Sequence, residues 1–553
     1  MRTRLTTYLE RLAKRSLMAG ATALSVFASS ANAAPAEAAP AVSDAQSTVM
    51  TRPDVVLSAP VASERLRDIV PRPDNNREVE RQIRRLPLPL DVVRVPLKPA
   101  ADSSAAQNGP TGVFGPLVAT TNGLNFAGLG QGDYGFNVNS APPDTTGAVG
   151  ATQFVQWVNT SLVVFDKATG ARTLGPISGN QIFANLGSNR CATQNDGDPI
   201  VAYDKAASRW VLTQFVASSP YLQCVAVSQT SDATGAYNLY SFTLPNFGDY
   251  PKISVWPDAY YISFNVFGTT TFQGARACAY DRARMLTGAT ATQVCFQLSS
   301  SFGGLLPSDL DGATPPPAGS PNYFVNFGSA RLNVWRFHAD FATPANSTFT
   351  GPTAVTVPAF TTACGTSGTC IPQPGTTNRL DSLSDRLMYR LAYRNLAGTE
   401  SLLVNHSVRV GSKTSSPTGV RWYELRIASQ APSLFQSGTF SPDTTHRWMG
   451  SIGMDKVGNI AVGYSASSSS VFPSVRYSGR APGDPLGTLQ SEQTIIAGSG
   501  SQTGSLHRWG DYSTLTVDPV DDCTFWYTQE YGFSAGSFNW KTRVASFRFP
   551  TCN

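Results

Sequence analysis

From about residue 116 onward, apolar residues recur at alternate positions in short runs that are broken by Gly, Pro, Asn or Asp. A period of two marks half-buried strands, and no stretch of comparable length keeps the 3.6-residue period of an amphipathic helix. One unit returns seven times: a polar or Asp-bearing entrance, a short strand, a tight turn, then a second strand rich in β-branched and aromatic residues. It reads PPDTTGAVGATQFVQWVN at 142–159, GDPIVAYDKAASRWVLTQF at 197–215, GDYPKISVWPDAYYISFNVF at 248–267 and SDLDGATPPPAGSPNYFVNF at 308–327. The later copies begin LDSLSDRLMYRLAYRN at 380, HRWMGSIGMDKVGNIAVGYS at 446 and HRWGDYSTLTVDPVDD at 507. Two further strand-like runs follow a copy, as YLQCVAVSQT and NLYSFTL do after the second.

Seven four-stranded units in series predict an all-β fold, a seven-bladed β-propeller over 116–553. A β-sandwich has no reason to repeat one two-strand signature seven times. The last copy supplies three clear strands, so a strand from around 111–130 is expected to complete it and close the ring.

The segment before the repeats has a different texture. Residues 1–33 read as a secretory signal peptide, with a basic start, an apolar run too short to span a bilayer, and the cleavage site ANA. Residues 34–115 are Ala- and Pro-rich and read as a linker or pro-segment with little core of its own. The formal charge of +5 is concentrated at the start, where the first 33 residues hold five basic side chains and one acidic. No basic patch remains for nucleic acid or an anionic membrane, and no membrane span follows.

All eight cysteines lie at or beyond Cys191. An even number in an exported chain argues for disulfides, and neighbour pairing within single repeats gives 191–224, 278–295, 364–370 and 523–552. No CxxC or His/Cys cluster at ligand spacing appears.

The motifs PPDTTGAVG, GDPIVAYD, GSPNYFVNF and WGDYSTLTVDPVDDCTFWYTQEY resemble a largely uncharacterised family of exported bacterial propeller-like proteins. The resemblance implies secretion and the propeller fold. It carries no catalytic residue to this chain.

Propeller geometry brings the starts of first strands and the ends of second strands to one channel mouth. The starts supply Asp144, Asp198, Asp249, Asp309, His446, Arg447, His507, Arg508 and Asp511. The ends supply Asn159, Gln214, Asn265, Asn326, Asn405, His406, Tyr464 and Glu530. Three uses are expected of such a mouth. Asp144, Asp198, Asp249 and Asp309 offer hard oxygen ligands for Ca²⁺. Arg447, Arg508 and the amides Asn159, Gln214, Asn265, Asn326 and Asn405 suit sugar hydroxyls and a uronate carboxylate. Acid/base work falls to His406, His446, His507, Tyr464, Asp511 and Glu530. The sequence thus points to a secreted, monomeric propeller that binds, and by lyase or hydrolase chemistry cleaves, an extracellular polysaccharide. Its alternatives are a non-catalytic adhesion propeller binding a glycan or surface protein, and a calcium-stabilised structural module.

Overall fold

A computed structural model describes residues 52–72, 79–80, 84–88, 106–107, 117–269 and 271–553. The expected signal peptide lies outside them, as does most of the Ala/Pro-rich stretch. The architecture is all-β. Seven antiparallel meanders follow one another, and their first strands are β1 (Thr146–Val149), β2 (Ile200–Asp204), β3 (Phe247–Val255), β4 (Leu306–Asp311), β5 (Met388–Leu396), β6 (His446–Met454) and β7 (Thr514–Val517). Each first strand pairs with the second, the second with the third, and in the first six the third with the fourth, in chain order. The few α-helical pieces, such as Gly179–Ile182 and Arg282–Thr287, lie in connections.

First strands pack against one another in cyclic order, β1 on β2 and so on to β7, and β7 lies against β1. This closed cycle makes the fold a β-propeller. Neighbours β4 and β5 come close enough to form a parallel ladder, with Ser308 opposite Leu391 and Asp311 opposite Arg394. Tryptophans fill the joints between sheets: Trp157, Trp210, Trp335, Trp422, Trp448 and Trp509 are all buried. Removing rings of this size from water is the largest apolar contribution a single side chain makes to such a joint.

The seventh sheet has three strands from the C-terminal end of the chain. Its fourth is Thr121–Ala127, antiparallel to Trp540–Arg548, with Phe126 opposite Val544. The closing strand expected around 111–130 therefore exists. All four neighbour disulfides are also present, Cys191–Cys224, Cys278–Cys295, Cys364–Cys370 and Cys523–Cys552.

The described parts of 34–115 are more than a linker. Asp54–Ser58 adds a fifth strand to the third sheet and Val61–Ala62 adds one to the second. Leu66 and Leu86 are buried. Alternation is too short in these pieces to betray a strand; their partners are outer strands that had an edge to fill.

Candidate functional site

The loops leading into the first strands meet on one face, and a repeated backbone device shapes them. Asp144, Asp198, Tyr250, Met449 and Asp511 all have positive φ, between 47° and 59°, where L-residues are strained. Asp tolerates this left-handed region better than most residues, so the recurrent entrance Asp is first a backbone choice. Register shifts at Asp249/Lys252 in β3 and Trp448/Ser451 in β6 belong to the same kink.

Ends of second strands tie these entrances down. Asn159 Nδ2 donates to the Pro142 carbonyl at 3.0 Å. Asn265 Oδ1 accepts from Gly304 N at 2.8 Å, and Asn326 Nδ2 donates to the Gly303 carbonyl at 3.0 Å. Gln529 Nε2 reaches the Met449 carbonyl, and Glu530 Oε2 accepts from Gly510 N at 2.6 Å. Of the amides expected to bind substrate, Asn159, Asn265 and Asn326 are therefore buried struts, while Gln214 and Asn405, equally inaccessible, have no hydrogen-bond partner on either amide atom among the described residues. Their placement at the mouth is as expected, but their hydrogen-bonding edges face inward.

At the centre of the mouth stands a residue the sequence reading passed over. Lys252, wholly buried in β3, places its ammonium 3.5 Å from the Tyr250 ring centroid and 3.8 Å from that of Tyr512. Burial pulls its pKa down to about 7, against the opposing pull of Asp198, Asp144 and Asp511. Asp144 is only 2% exposed, and its Oδ1 has no hydrogen-bond partner. Burial, then the charges of Asp198 and Asp511, hold its carboxyl well above the usual range. Arg508 forms an ion pair with Asp511, and Arg386 pairs with Asp385 while covering the Tyr250 ring at 4.5 Å. Burial also raises Glu530 strongly. Asp198 and Asp249 are half-buried and form the open rim.

Thus Asp144, Asp198, Asp249, Asp511, Glu530 and Arg508 come together at the mouth with the buried amides, whereas Asp309, His406, His446, His507, Arg447 and Tyr464 do not join them. Asp309 is bound to Arg390 and to Val255 N instead. His406 lies among Phe327, Phe360 and Tyr423, bonded to the Tyr423 hydroxyl at 2.9 Å, and burial holds it well below the ordinary histidine range. His446 accepts from Thr418 N, and burial, followed by Arg379 and Arg447, brings it down to about 4. The twin His-Arg-Trp triplets adjoin through Trp448 and Trp509, 6.1 Å apart, yet their arginines diverge. Arg447 is clamped by Asp443 and Glu492, and Tyr464 donates to the same Glu492. His507 is exposed and bonds the Arg379 carbonyl at 2.9 Å. Lys252 was legible as the one charge in the apolar run PKISVW.

These residues do not fit the expected calcium site. The cations among Asp144, Asp198 and Asp511 are Arg508 and Lys252, and Asp309 is spent on Arg390. Among the described residues no three His, Cys, Asp or Glu side chains form a metal-holding group.

Asp249 gives the mouth a pH signature. Burial, with help from Asp198, pushes its pKa up to about 7. A carboxyl raised in the folded state stabilises fully below its unfolded pKa near 3.9, and that stability is lost as pH climbs through 7. Asp249→Asn will therefore melt with the wild type at pH 4 and about 2 °C above it at pH 8.5, after a discount for partial exposure. Calorimetry at the two pH values checks this, and equal melting at pH 8.5 would contradict it.

Beside the mouth, between the first two sheets, lies a cavity of 760 Å³. Its lining is mostly amide, hydroxyl and carboxylate, including Asn139, Thr160, Asn180, Gln181, Asn195 and Asp196, with aliphatic side chains such as Ile69, Val70 and Ile182 among them. Asn139 is 7% exposed; its Oδ1 accepts from the Thr160 hydroxyl while its Nδ2 has no partner.

No protein-family model matches the chain, and no curated protein sequence does either. Among solved structures, an exo-β-1,3-galactanase from Clostridium thermocellum is similar at 10% identity and TM-score 0.28, over 65% of this chain and 80% of that one. The WD40 domain of SCAP from fission yeast matches at 9% and 0.30, over 72% and 82%. Drosophila Semaphorin 1b domains 1–2 match at 7% and 0.36, over 79% and 88%. These likenesses are loose, so function has to be argued from the site's own residues.

Proposed function

We propose that this protein is an exported, seven-bladed propeller that binds an extracellular polysaccharide in the groove between its first two sheets. The polar lining of that groove carries the reading: Asn139, Thr160, Asn180, Gln181, Gln194 and Asp196 set amide, hydroxyl and carboxylate groups around one cavity. A cavity of 760 Å³ lined mainly by amides, hydroxyls and carboxylates, with Ile69, Val70 and Ile182 beside them, suits a run of sugar hydroxyls and the apolar faces of the sugar rings. The four disulfides support an oxidising, extracytoplasmic setting. No helix among the described residues is long and apolar enough to cross a membrane.

A second reading adds cleavage. Asp144 and Glu530 are held above their normal range by burial, in the same mouth as Asp511 and the half-buried Asp198. An arrayed panel of polysaccharides, followed by product analysis, tests both. Binding is expected for wild type, and Asn139→Leu should lose about tenfold in affinity, or about 1.4 kcal/mol. Its melting temperature should fall by no more than about 1–3 °C, the cost of leaving the Thr160 hydroxyl without its acceptor. No binding, or unchanged binding by the variant, would refute the groove. New reducing ends or unsaturated products would establish cleavage, and their absence would leave an adhesion-type binder.

A further inference from the structure

The mouth is already occupied by a piece of this chain. Val79–Glu80 runs parallel to Ser140–Ala141 at the wall of the polar groove. Glu80 Oε1 accepts from the backbone N–H groups of His507 at 2.7 Å and Arg508 at 3.1 Å, at the entrance of the seventh sheet. Four residues later the chain is on the opposite side. The Arg84 guanidinium lies 4.6 Å from the Phe247 ring and 5.2 Å from that of Phe267, in the third sheet. The Arg84 carbonyl accepts from Arg386 at 3.1 Å. Arg85 forms an ion pair with Asp381, and Leu86 N donates to Asp385 Oδ2 at 2.8 Å. The Leu86 side chain sits in a pocket of Phe215, Phe247 and Phe267.

This pattern is that of a bound peptide, not of a strand completing a sheet. Its ends are held by charge-assisted hydrogen bonds, one leucine fills an aromatic pocket, and its arginines meet rings and carboxylates. Arg84 lies close enough to the rim for its charge to act on the Asp249 carboxyl. Leu86 and its pocket would be the anchor of any competitor.

We propose that the mouth is a binding site for an extended peptide with a glutamate followed, four to six residues on, by Arg-Arg-Leu, and that residues 79–88 are its displaceable resident ligand. While seated, the segment keeps the rim carboxylates from outside ligands. When displaced, it uncovers them without unfolding the sheets. This goes beyond the polysaccharide reading and does not depend on it: Val79–Glu80 touches the groove wall at Ser140–Ala141, but the Arg84–Leu86 anchors lie against the third sheet and the loop entering β5.

The test uses the full chain and a fluorescein-labelled peptide of residues 79–88, VERQIRRLPL. The Arg85→Glu/Leu86→Asp double variant, whose own segment no longer seats, should bind it at least roughly tenfold more tightly than wild type. A peptide with the same two substitutions should bind neither. Equal binding to both proteins, or binding to neither, would overturn the proposal. Should the double variant fail to fold, wild type provides the second readout. Excess unlabelled peptide should speed hydrogen exchange at Leu86 by displacing the resident segment, and unchanged exchange would count against it.

Discussion

Replacing Lys252 by methionine will raise the melting temperature at pH 6 by about 2–3 °C. Burial pulls the lysine down to about 7, so the folded state holds its proton less well than the unfolded chain, and wild type loses stability as pH falls from the unfolded value near 10.4 through 7. Methionine takes up no proton and keeps the length of the stem against Tyr250 and Tyr512, so the variant escapes that loss. At about 1 °C per kcal/mol for a chain of this length, a shift of this size, less the contacts the ammonium makes, gives the figure. The gain should shrink at pH 9, where the folded lysine is neutral and the unfolded one is closer to its own pKa. Thermal melts of wild type and variant at both pH values read this directly. A variant less stable than wild type at pH 6 would mean that the Lys252 ammonium is a net stabiliser of the mouth.

Replacing Thr121–Ala127 by a Gly/Ser heptapeptide will have the largest effect of any change away from the mouth. The seventh sheet then loses five paired positions and the cover that Leu124 and Phe126 give its neighbours. Five backbone pairs at about 1 kcal/mol and two part-buried side chains at about 1.5 kcal/mol each give about 8 kcal/mol, or about 8 °C. The strand Trp540–Arg548 would be left with an open edge, so association at high concentration is expected as well. Light scattering during a thermal melt reports both. A fall of under 2 °C without association would show that the ring does not depend on its N-terminal strand.

How far the sequence carried the account differs from one part of the molecule to another. The β-architecture was legible because a two-residue period, repeated with one entrance-turn-strand signature, leaves few alternatives. The closing strand at Thr121–Ala127 followed from counting three strands where four were needed, and the disulfides from neighbour pairing. Convergence of the entrances was also legible; side-chain direction was not. Asn159, Asn265 and Asn326 look like ligands in sequence because polar residues seldom end apolar strands. In the fold they bond carbonyls and amides of entrance loops strained into positive φ. Arg447 and Arg508 occupy matching places in the two His-Arg-Trp triplets, yet one turns to Glu492 and the other to Asp511. That choice depends on a residue 45 positions away, which no local pattern encodes. Lys252 and the segment 79–88 were missed for opposite reasons. The lysine is a single charge hidden in an apolar run, whereas the segment's order comes entirely from the surface it lies on.

The polysaccharide groove is the central claim, and a footprint tests it most directly. Hydrogen–deuterium exchange should be measured with and without the best-binding polysaccharide from the array. Protection confined to the groove walls, residues 63–72, 139–140, 160 and 178–196, is the predicted result. Protection elsewhere, on the outer strands or the opposite face, or no protection under saturating ligand, would contradict it.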